Sequence, residues 1–187
     1  MRRPFAKPRS TSRALRGFSL IELMVTIVVA AVLLTIAIPS FRNLILQNQL
    51  TTVTNEWVVA YNTARSEAVK RGAGVVVCGA SGNGTGGNDL SNGCANNIGE
   101  VRAFQAGTTT VTVVRAAMEI PPDVTLNSSE SIRFGPSGVG RSPSGNVPFT
   151  GNVVDIQSAE LDGENHRCIN LISGSTVETK ADDQVCP

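Results

Sequence analysis

From residue 18 the chain has a nearly continuous run of apolar side chains, and further on the apolar positions recur at regular intervals. Between residues 18 and 38, 17 of the 21 side chains are apolar, and the polar ones are Ser19, Glu22, Thr26 and Thr35. Coiled as an α-helix at about 1.5 Å per residue, this segment spans roughly 30 Å, which matches the hydrocarbon core of a bilayer. The pattern predicts a transmembrane helix over residues 18–38.

From Pro39 onwards, apolar positions recur at steps of three and four residues, with polar side chains between them. This period predicts that the helix continues through residues 39–71 as an amphipathic segment, one face of which a folded domain covers. Lys70 and Arg71 followed by Gly72 are typical of a helix C-terminus. The apolar stripe comprises Phe41, Leu44, Ile45, Leu50, Val53, Trp57, Ala60, Tyr61, Ala64 and Ala68.

Beyond residue 71 the chain changes to short apolar alternations separated by glycine, proline and serine clusters, which is typical of strands joined by turns. We expect an α+β fold, in which the long N-terminal helix is followed by a small, antiparallel, sandwich-like β-rich domain over residues 72–187. Candidate strands lie at residues 74–78, 100–104, 110–115, 123–126, 131–134, 152–157, 167–172 and 175–180.

Charge is distributed unevenly, although the formal net charge is only +1. Residues 1–17 contain six basic side chains and no acidic one, whereas residues 18–187 contain 10 basic and 15 acidic side chains. Because basic flanks stay in the cytoplasm, this asymmetry predicts a cytoplasmic N-terminus and a C-terminal domain outside the membrane. The acidic body disfavours a general nucleic-acid binder, which needs a basic surface.

Three interpretations of the N-terminus compete. A cleavable secretory signal has an apolar part of only about 7–15 residues, which is shorter than the run observed here. A plain single-pass anchor fits the length but leaves Glu22 unexplained, because a carboxylate at the bilayer centre costs on the order of 2.5–3.5 kcal/mol. The third rests on a motif, since residues 16–22, RGFSLIE, resemble the cleavage site of class III signal peptides in type IV pilins and type II secretion pseudopilins.

This resemblance implies that residues 1–17 are a leader, which a prepilin peptidase removes by cutting after Gly17, and that the new amino group of Phe18 is methylated. It also implies an assembly role for Glu22, whose carboxylate neutralises the terminal ammonium of a neighbouring subunit, since a buried charge is tolerated only when paired. Pro39 stands where many family members carry a proline, and it is expected to bend the helix because it removes a hydrogen bond.

Two further stretches resemble the GspH/FimT family of minor pilins and pseudopilins. Residues 62–69, NTARSEAV, are similar to the end of the long helix in that family, and residues 134–138, FGPSG, to its F-x-P-x-G strand and turn. The resemblance implies a single-pass protein of the bacterial inner membrane with a periplasmic domain. Its implied partners are other pilins or pseudopilins, the prepilin peptidase and an inner-membrane assembly platform, and no cofactor is expected.

The four cysteines all lie in the part predicted to face the oxidising exterior, where disulfides persist. Several connectivities are possible, and proximity along the chain favours Cys78–Cys94 and Cys168–Cys186. The alternative role of the cysteines is to bind a metal ion. The cysteines lack C-x-x-C spacing, however, and His166 is the one histidine of the chain, so we expect no metal site.

The chain is predicted not to be an enzyme. His166 is expected to be a surface or strand residue, and its spacing from Cys168 does not set the geometry of a catalytic triad. Residues 82–87 match G-x-G-x-x-G, but no helical pattern follows them, so we expect a flexible surface loop and no dinucleotide site. Residues 162–165 are expected to form a solvated hairpin turn, because no calcium-loop spacing follows them.

Three functions are compatible with the resemblance. The preferred one is a minor pilin that helps to initiate assembly of a type IV pilus, which two disulfides and a long exterior loop favour. The alternative is protein H, a minor pseudopilin of the type II secretion system. DNA capture during natural transformation is disfavoured, because the position most similar to the G-R-x-R motif of DNA-binding relatives reads STVE at residues 175–178, and Gly140-Arg141 offers only one arginine.

Overall fold

The computed structural model describes residues 17–80, 89–105 and 108–187. Within these ranges the chain forms one long helix, α1, and nine strands, with short 3₁₀ turns at Asp89–Ser91 and Cys94–Asn96. The G-x-G-x-x-G stretch at residues 82–87 lies outside them. The elements are α1 (Leu20–Arg71), β1 (Val75–Val77), β2 (Val101–Phe104), β3 (Val111–Arg115), β4 (Thr125–Ser129), β5 (Ile132–Phe134), β6 (Gly140–Arg141), β7 (Gly151–Gln157), β8 (His166–Ile172) and β9 (Thr176–Asp182).

Helix α1 is 52 residues long and ends where a glycine turns the backbone out of the helix. Gly72 has a φ of +60°, a left-handed conformation that glycine adopts without steric cost. The next amide, that of Ala73, donates to the carbonyl of Ala68 at 3.3 Å and so satisfies one of the last helical acceptors. Lys70 and Arg71 occupy the last turn, beside the negative end of the helix dipole.

The chain divides into two compact units, Met1–Ser40 and Phe41–Pro187. In the first unit the described residues form only the start of α1 and the short segment before it, and every residue from 17 to 40 is exposed. The second unit contains the remainder of α1 and all nine strands of the described ranges.

The strands form two sheets in which every pair is antiparallel. Sheet A has the order β3-β2-β1-β5-β6, and sheet B has the order β4-β7-β8-β9. In sheet A, Val76 of β1 lies between Arg102 of β2 and Arg133 of β5. In sheet B, Asp155 of β7 lies opposite Cys168 of β8. The α+β fold with antiparallel sheets, predicted from the change of period near residue 71, is confirmed.

One cluster of buried side chains joins α1 to both sheets. Trp57 and Tyr61 stack with their ring centroids 5.8 Å apart, and the ring of Phe134 from β5 meets Tyr61 edge-on at 6.2 Å. Sheet B contributes Ile156 and Ile169 to the same cluster. Because α1 supplies the apolar surface that both sheets share, the second half of the helix is part of the domain core.

A second, smaller cluster covers the opposite face of sheet A. It contains Val76, Leu90 and the two cysteines Cys78 and Cys94, with Phe104 packed against it. Strand β1 is therefore buried on both faces, and this explains why its sequence is three consecutive valines with no apolar–polar alternation.

The predicted strands agree with the observed ones except at two places. The strand expected at residues 123–126 begins at Thr125 and extends to Ser129, because the amide of Val124 donates to the carbonyl of Pro121 at 3.0 Å and closes a turn there. Strand β6 was not predicted, since two residues beginning with Gly140 produce no apolar period.

Candidate functional site

Ser19 accepts hydrogen bonds from two backbone amides in the first turn of α1. Its side-chain oxygen accepts a hydrogen bond from the amide of Glu22 at 3.2 Å, and its carbonyl accepts one from the amide of Leu23 at 3.1 Å. Ser19 is thus the N-cap of the helix. The prediction above treated Ser19 only as a polar exception, although Ser-x-x-Glu before an apolar run is the sequence signature of a capping box and could have identified it.

Glu22 lies in the first turn of α1, where the positive end of the helix dipole favours a carboxylate. Its side chain is exposed, and within the described ranges no cation lies in ion-pair contact with it. The local structure therefore accounts for an acid at this position of a helix, but it supplies no counter-charge for an acid in an apolar segment.

The apolar side chains that follow Glu22 are exposed around the whole helix. None of the residues in this apolar stretch of α1 is buried within the described structure. Thr26 and Thr35 donate their hydroxyl hydrogens to the carbonyls of Leu23 and Val32, at 2.8 Å and 2.6 Å. Because these hydroxyls are satisfied within the helix, neither threonine needs water, and the helix has the length and composition to cross a membrane.

Pro39 lies inside α1, one residue before the boundary between the two compact units. The bend predicted at this position remains a prediction.

Both predicted disulfides are present. Cys78 is bonded to Cys94 with a Cα–Cα distance of 4.8 Å, and Cys168 is bonded to Cys186 with a distance of 5.5 Å. The first joins the end of β1 to the 3₁₀ turn at Cys94–Asn96. The second ties the C-terminal segment to β8, a central strand of sheet B.

His166 is a strand residue, which is one of the two predicted alternatives, and it does not lie on the surface. It is the first residue of β8 and only 3% exposed. Its Nδ1 lies 2.8 Å from Oδ1 of Asp155, which is 1% exposed. Sequence reasoning missed Asp155 because the two residues are 11 positions apart and are brought together only by the β7–β8 pairing.

Asp155 has further partners in sheet B. Its Oδ2 accepts hydrogen bonds from Nδ2 of Asn127 at 3.2 Å and from the amide of Cys186 at 3.3 Å. The carboxylate therefore connects β4, β8 and the C-terminal segment. A buried carboxylate is tolerated when its oxygens are satisfied in this way.

The positions compared with the DNA-binding motif lie near two arginines, both of which donate hydrogen bonds to backbone carbonyls. The carbonyl of Ser175 accepts a hydrogen bond from Nη1 of Arg65 at 2.7 Å, and Glu178 lies on the edge strand β9. Arg141 donates through Nε to the carbonyl of Asn146 at 2.9 Å. The side chain of Arg141 is therefore hydrogen-bonded to the loop that follows it.

Comparison with protein families gives two matches. Residues 53–174 match the family described as type II transport protein GspH, and residues 13–38 match the prokaryotic N-terminal methylation motif. The first match spans 122 of the 187 residues. Neither the curated proteins nor the solved structures contain a significant match to this chain.

Proposed function

We propose, from the premise that this chain belongs to the family described as type II transport protein GspH, that it is a minor pilin that helps to initiate assembly of a type IV pilus. Membership in the type IV pilin and pseudopilin family follows from the two family matches. The observation that supports the filament role best is the start of α1, where one carboxylate without an ion-pair partner in the described ranges precedes an entirely exposed apolar surface.

Processing follows from the same segment. We propose that a prepilin peptidase cuts between Gly17 and Phe18, and that the new amino group is methylated. Gly17 precedes the helix, and among the described residues no atom lies within 4 Å of the position that a Cβ would take there. A small residue outside the helix lets a protease approach the peptide bond. Because Ser19 caps the helix, the bond to be cut lies just outside the hydrogen-bonded backbone.

In our proposal, cleavage after Gly17 creates an ammonium group at Phe18, which supplies the counter-charge for Glu22. A carboxylate in hydrocarbon costs on the order of 2.5–3.5 kcal/mol at the bilayer centre, and pairing with an ammonium offsets that cost. In our proposal Glu22 of one subunit pairs with the amino terminus of Phe18 in its neighbour. The exposed apolar side chains of residues 18–38 then pack between subunits.

Inner-membrane anchoring fits the apolar helix and the methylation motif. We further propose that the N-terminus is cytoplasmic and that the C-terminal domain is periplasmic. The six basic residues before the helix support this orientation. The two disulfides also support it, since such bonds persist in oxidising compartments.

The test of the pairing uses two variants of the full chain. Glu22→Ala should insert and be processed normally, but its amount in sheared filaments should fall by at least about tenfold, since the lost pairing exceeds 1.4 kcal/mol. Ser19→Ala is the matched control, because it removes the cap, at a cost of about 1 kcal/mol, and keeps the carboxylate. Normal incorporation of Glu22→Ala, or equal losses for both variants, would refute the pairing.

The test of processing is made on the same material. Mass spectrometry of the mature protein should give a methylated Phe18 as its first residue, and Gly17→Val should leave a precursor of unchanged size on a gel. An intact Met1 terminus in the purified wild type would overturn the processing step.

A second function is supported by the family description itself, which names type II transport. The alternative is therefore protein H, a minor pseudopilin of a type II secretion system. Deletion of the gene separates the two. Loss of twitching motility with normal release of exoproteins supports the pilus, and loss of exoprotein release with normal twitching supports secretion.

A further inference from the structure

We propose that Asp155, His166, Cys168 and Cys186 form a zinc site whenever the two cysteines are thiols, so that either a disulfide or a Zn²⁺ ion fixes the C-terminal segment to sheet B. The inference is independent of the proposed filament role. It concerns a buried cluster that neither assembly nor membrane anchoring uses.

Donor atoms of the correct kinds are already close together. One ligand atom each from Asp155, His166 and Cys186 lies within 4.8 Å of the other two, and no other set of this kind occurs in the described ranges. Sγ of Cys168 is not within that grouping, but it is bonded to Sγ of Cys186, and in our proposal its side chain supplies the fourth donor once the disulfide is open. Tetrahedral zinc with N, O and S ligands needs donor–donor distances of roughly 3.3–3.8 Å. For Asp155, His166 and Cys186, shifts of about 1–2 Å would reach that geometry once the disulfide is open.

Sheet B holds three of the four donors in place. Asp155 and Cys168 lie directly opposite each other in the β7–β8 pairing, and His166 precedes Cys168 by two residues on the same strand. Asp155, His166 and Cys168 are 1%, 3% and 1% exposed. Only Cys186, in the C-terminal segment, has to be brought in from outside a strand.

Outer hydrogen bonds of the kind that surround metal ligands are also present. Oδ2 of Asp155 accepts from Asn127 and from the amide of Cys186, which leaves Oδ1 facing Nδ1 of His166 at 2.8 Å. Such bonds orient metal-binding carboxylates and raise metal affinity. Zinc would replace the hydrogen between Nδ1 and Oδ1, and the ring proton would then reside on Nε2.

The two states of the cluster exclude each other chemically. In the disulfide, neither sulfur is a thiolate, and the thiolate is the form that binds metals. A dithiol reductant opens the bond by attacking one sulfur and releasing the other as a thiolate. Its second thiol then resolves the mixed disulfide, leaving two protein thiols and an oxidised reductant. Zn²⁺ binding releases both thiol protons, and a newly exported chain whose cysteines have not yet paired is in the same thiol state.

The other cysteine pair provides an internal control. Cys78 and Cys94 lie in an apolar cluster with Val76 and Leu90. When reduced, they offer two thiols but no nearby set of histidine and carboxylate in the described ranges. A difference between the two pairs therefore reports the contribution of Asp155 and His166.

The test titrates Co²⁺, as a spectroscopic substitute for Zn²⁺, into the reduced full chain in detergent. We expect a single ion to bind, with thiolate-to-cobalt charge-transfer and tetrahedral d–d bands, and no such bands in the oxidised protein. The Cys78→Ser/Cys94→Ser variant should keep the bands, and the Cys168→Ser/Cys186→Ser variant should lose them. His166→Gln and Asp155→Asn should each weaken binding at least about tenfold.

A second measurement needs no variant and so does not depend on variant folding. Zn²⁺ added to the reduced wild type should protect Cys168 and Cys186 from alkylation, while Cys78 and Cys94 react, as peptide mass spectrometry would show. Equal alkylation of all four cysteines would overturn the proposal. Cobalt bands that persist in the Cys168→Ser/Cys186→Ser variant, or their absence from the reduced wild type, would do the same.

Discussion

The two halves of α1 share one secondary structure and differ in what surrounds them. Leu33 in the first half is 62% exposed, whereas Leu50 in the second half is fully buried. The first buried residue of the helix is Leu46, which is 2% exposed. The two sheets therefore cover the apolar face of the second half of α1. Nothing in the described ranges covers the first half, so we expect lipid or other subunits to do so.

The difference shows that the same residue types contribute to different processes along one helix. The apolar side chains of the second half that are buried, such as Leu50 and Trp57, stabilise the folded domain, since their burial is intramolecular. The apolar side chains before residue 46 are exposed, so we expect them to contribute little to domain stability. Four substitutions in the second half test this difference, and the first two have a matched control in the first half. Their expected effects on the unfolding of the full chain in detergent decrease in the order Trp57→Ala, Ala64→Leu, Tyr61→Phe and Glu67→Gln.

The largest effect is expected for Trp57→Ala. Removing this fully buried ring leaves a cavity between α1 and both sheets, which should cost about 3–5 kcal/mol of the free energy of unfolding. Urea unfolding followed by circular dichroism measures it. Phe41→Ala is the matched control, since Phe41 is 64% exposed, and a change within about 0.5 kcal/mol is expected there. Equal losses at both positions would remove the distinction between the halves.

The second-largest loss of domain stability is expected from a substitution that overpacks the core. Ala64 is fully buried between α1 and the sheets, so Ala64→Leu should destabilise the domain by about 1–3 kcal/mol through overpacking. Ala37 is exposed on the first half, and Ala37→Leu should leave the urea midpoint unchanged. A destabilised Ala37→Leu domain would show that the first half also contributes to the core.

Tyr61→Phe tests a buried hydroxyl. Within the described ranges its Oη is buried without a hydrogen-bond partner, and burial, assisted by the charge of Glu130, raises the pKa of Tyr61. At pH 7 the variant should be as stable as the wild type or more stable by up to about 1 kcal/mol.

The pH dependence of Tyr61 follows from the sign of that shift. The unfolded chain releases the phenol proton near pH 10, whereas the folded chain retains it. Wild-type stability should therefore be fully present below about pH 10 and fall as the pH rises further, and Tyr61→Phe should lack this part of the fall. Parallel alkaline unfolding curves for the two proteins would contradict the assignment.

The smallest effect is expected for Glu67→Gln. Hydrogen bonds from Arg71 and Lys70 lower the pKa of Glu67, so its contribution is present above the unfolded pKa and is lost as the pH falls through the folded value. The variant should lose a small part of its stability at neutral pH, and the difference should vanish in acid and shrink in high salt. A difference that persists in acid would rule out the ion pair as its origin.

Several features of the fold were predictable because their signals are local. The helix follows from an apolar run and a period of three and four, and its end from Lys70-Arg71-Gly72. The disulfides follow from proximity along the chain, since each bond closes a short loop. The cap at Ser19 was equally local, and it was missed only because the Ser-x-x-Glu pattern was not used.

Other features required contacts that no local pattern records. The burial of His166 depends on its pairing with Asp155, and that pairing depends on the register between β7 and β8. Strand β6 has only two residues. It forms because both residues pair with β5 and because the carbonyl of Gly140 accepts a hydrogen bond from the amide of Phe149. The expectation that the chain has no metal site rested on cysteine spacing, which does not report donors brought together by a sheet.

The sequence by itself therefore determined one long helix, first apolar and then amphipathic, and a β-rich region after it, because the hydrophobic period acts over a few neighbouring residues. Only the tertiary structure decided where burial begins along α1, which side chains share the core, and that Asp155, His166 and the C-terminal disulfide form one cluster. Strand pairing brings together residues far apart in the chain, and the free energy of those contacts depends on register and burial, which become defined only when the sheets form.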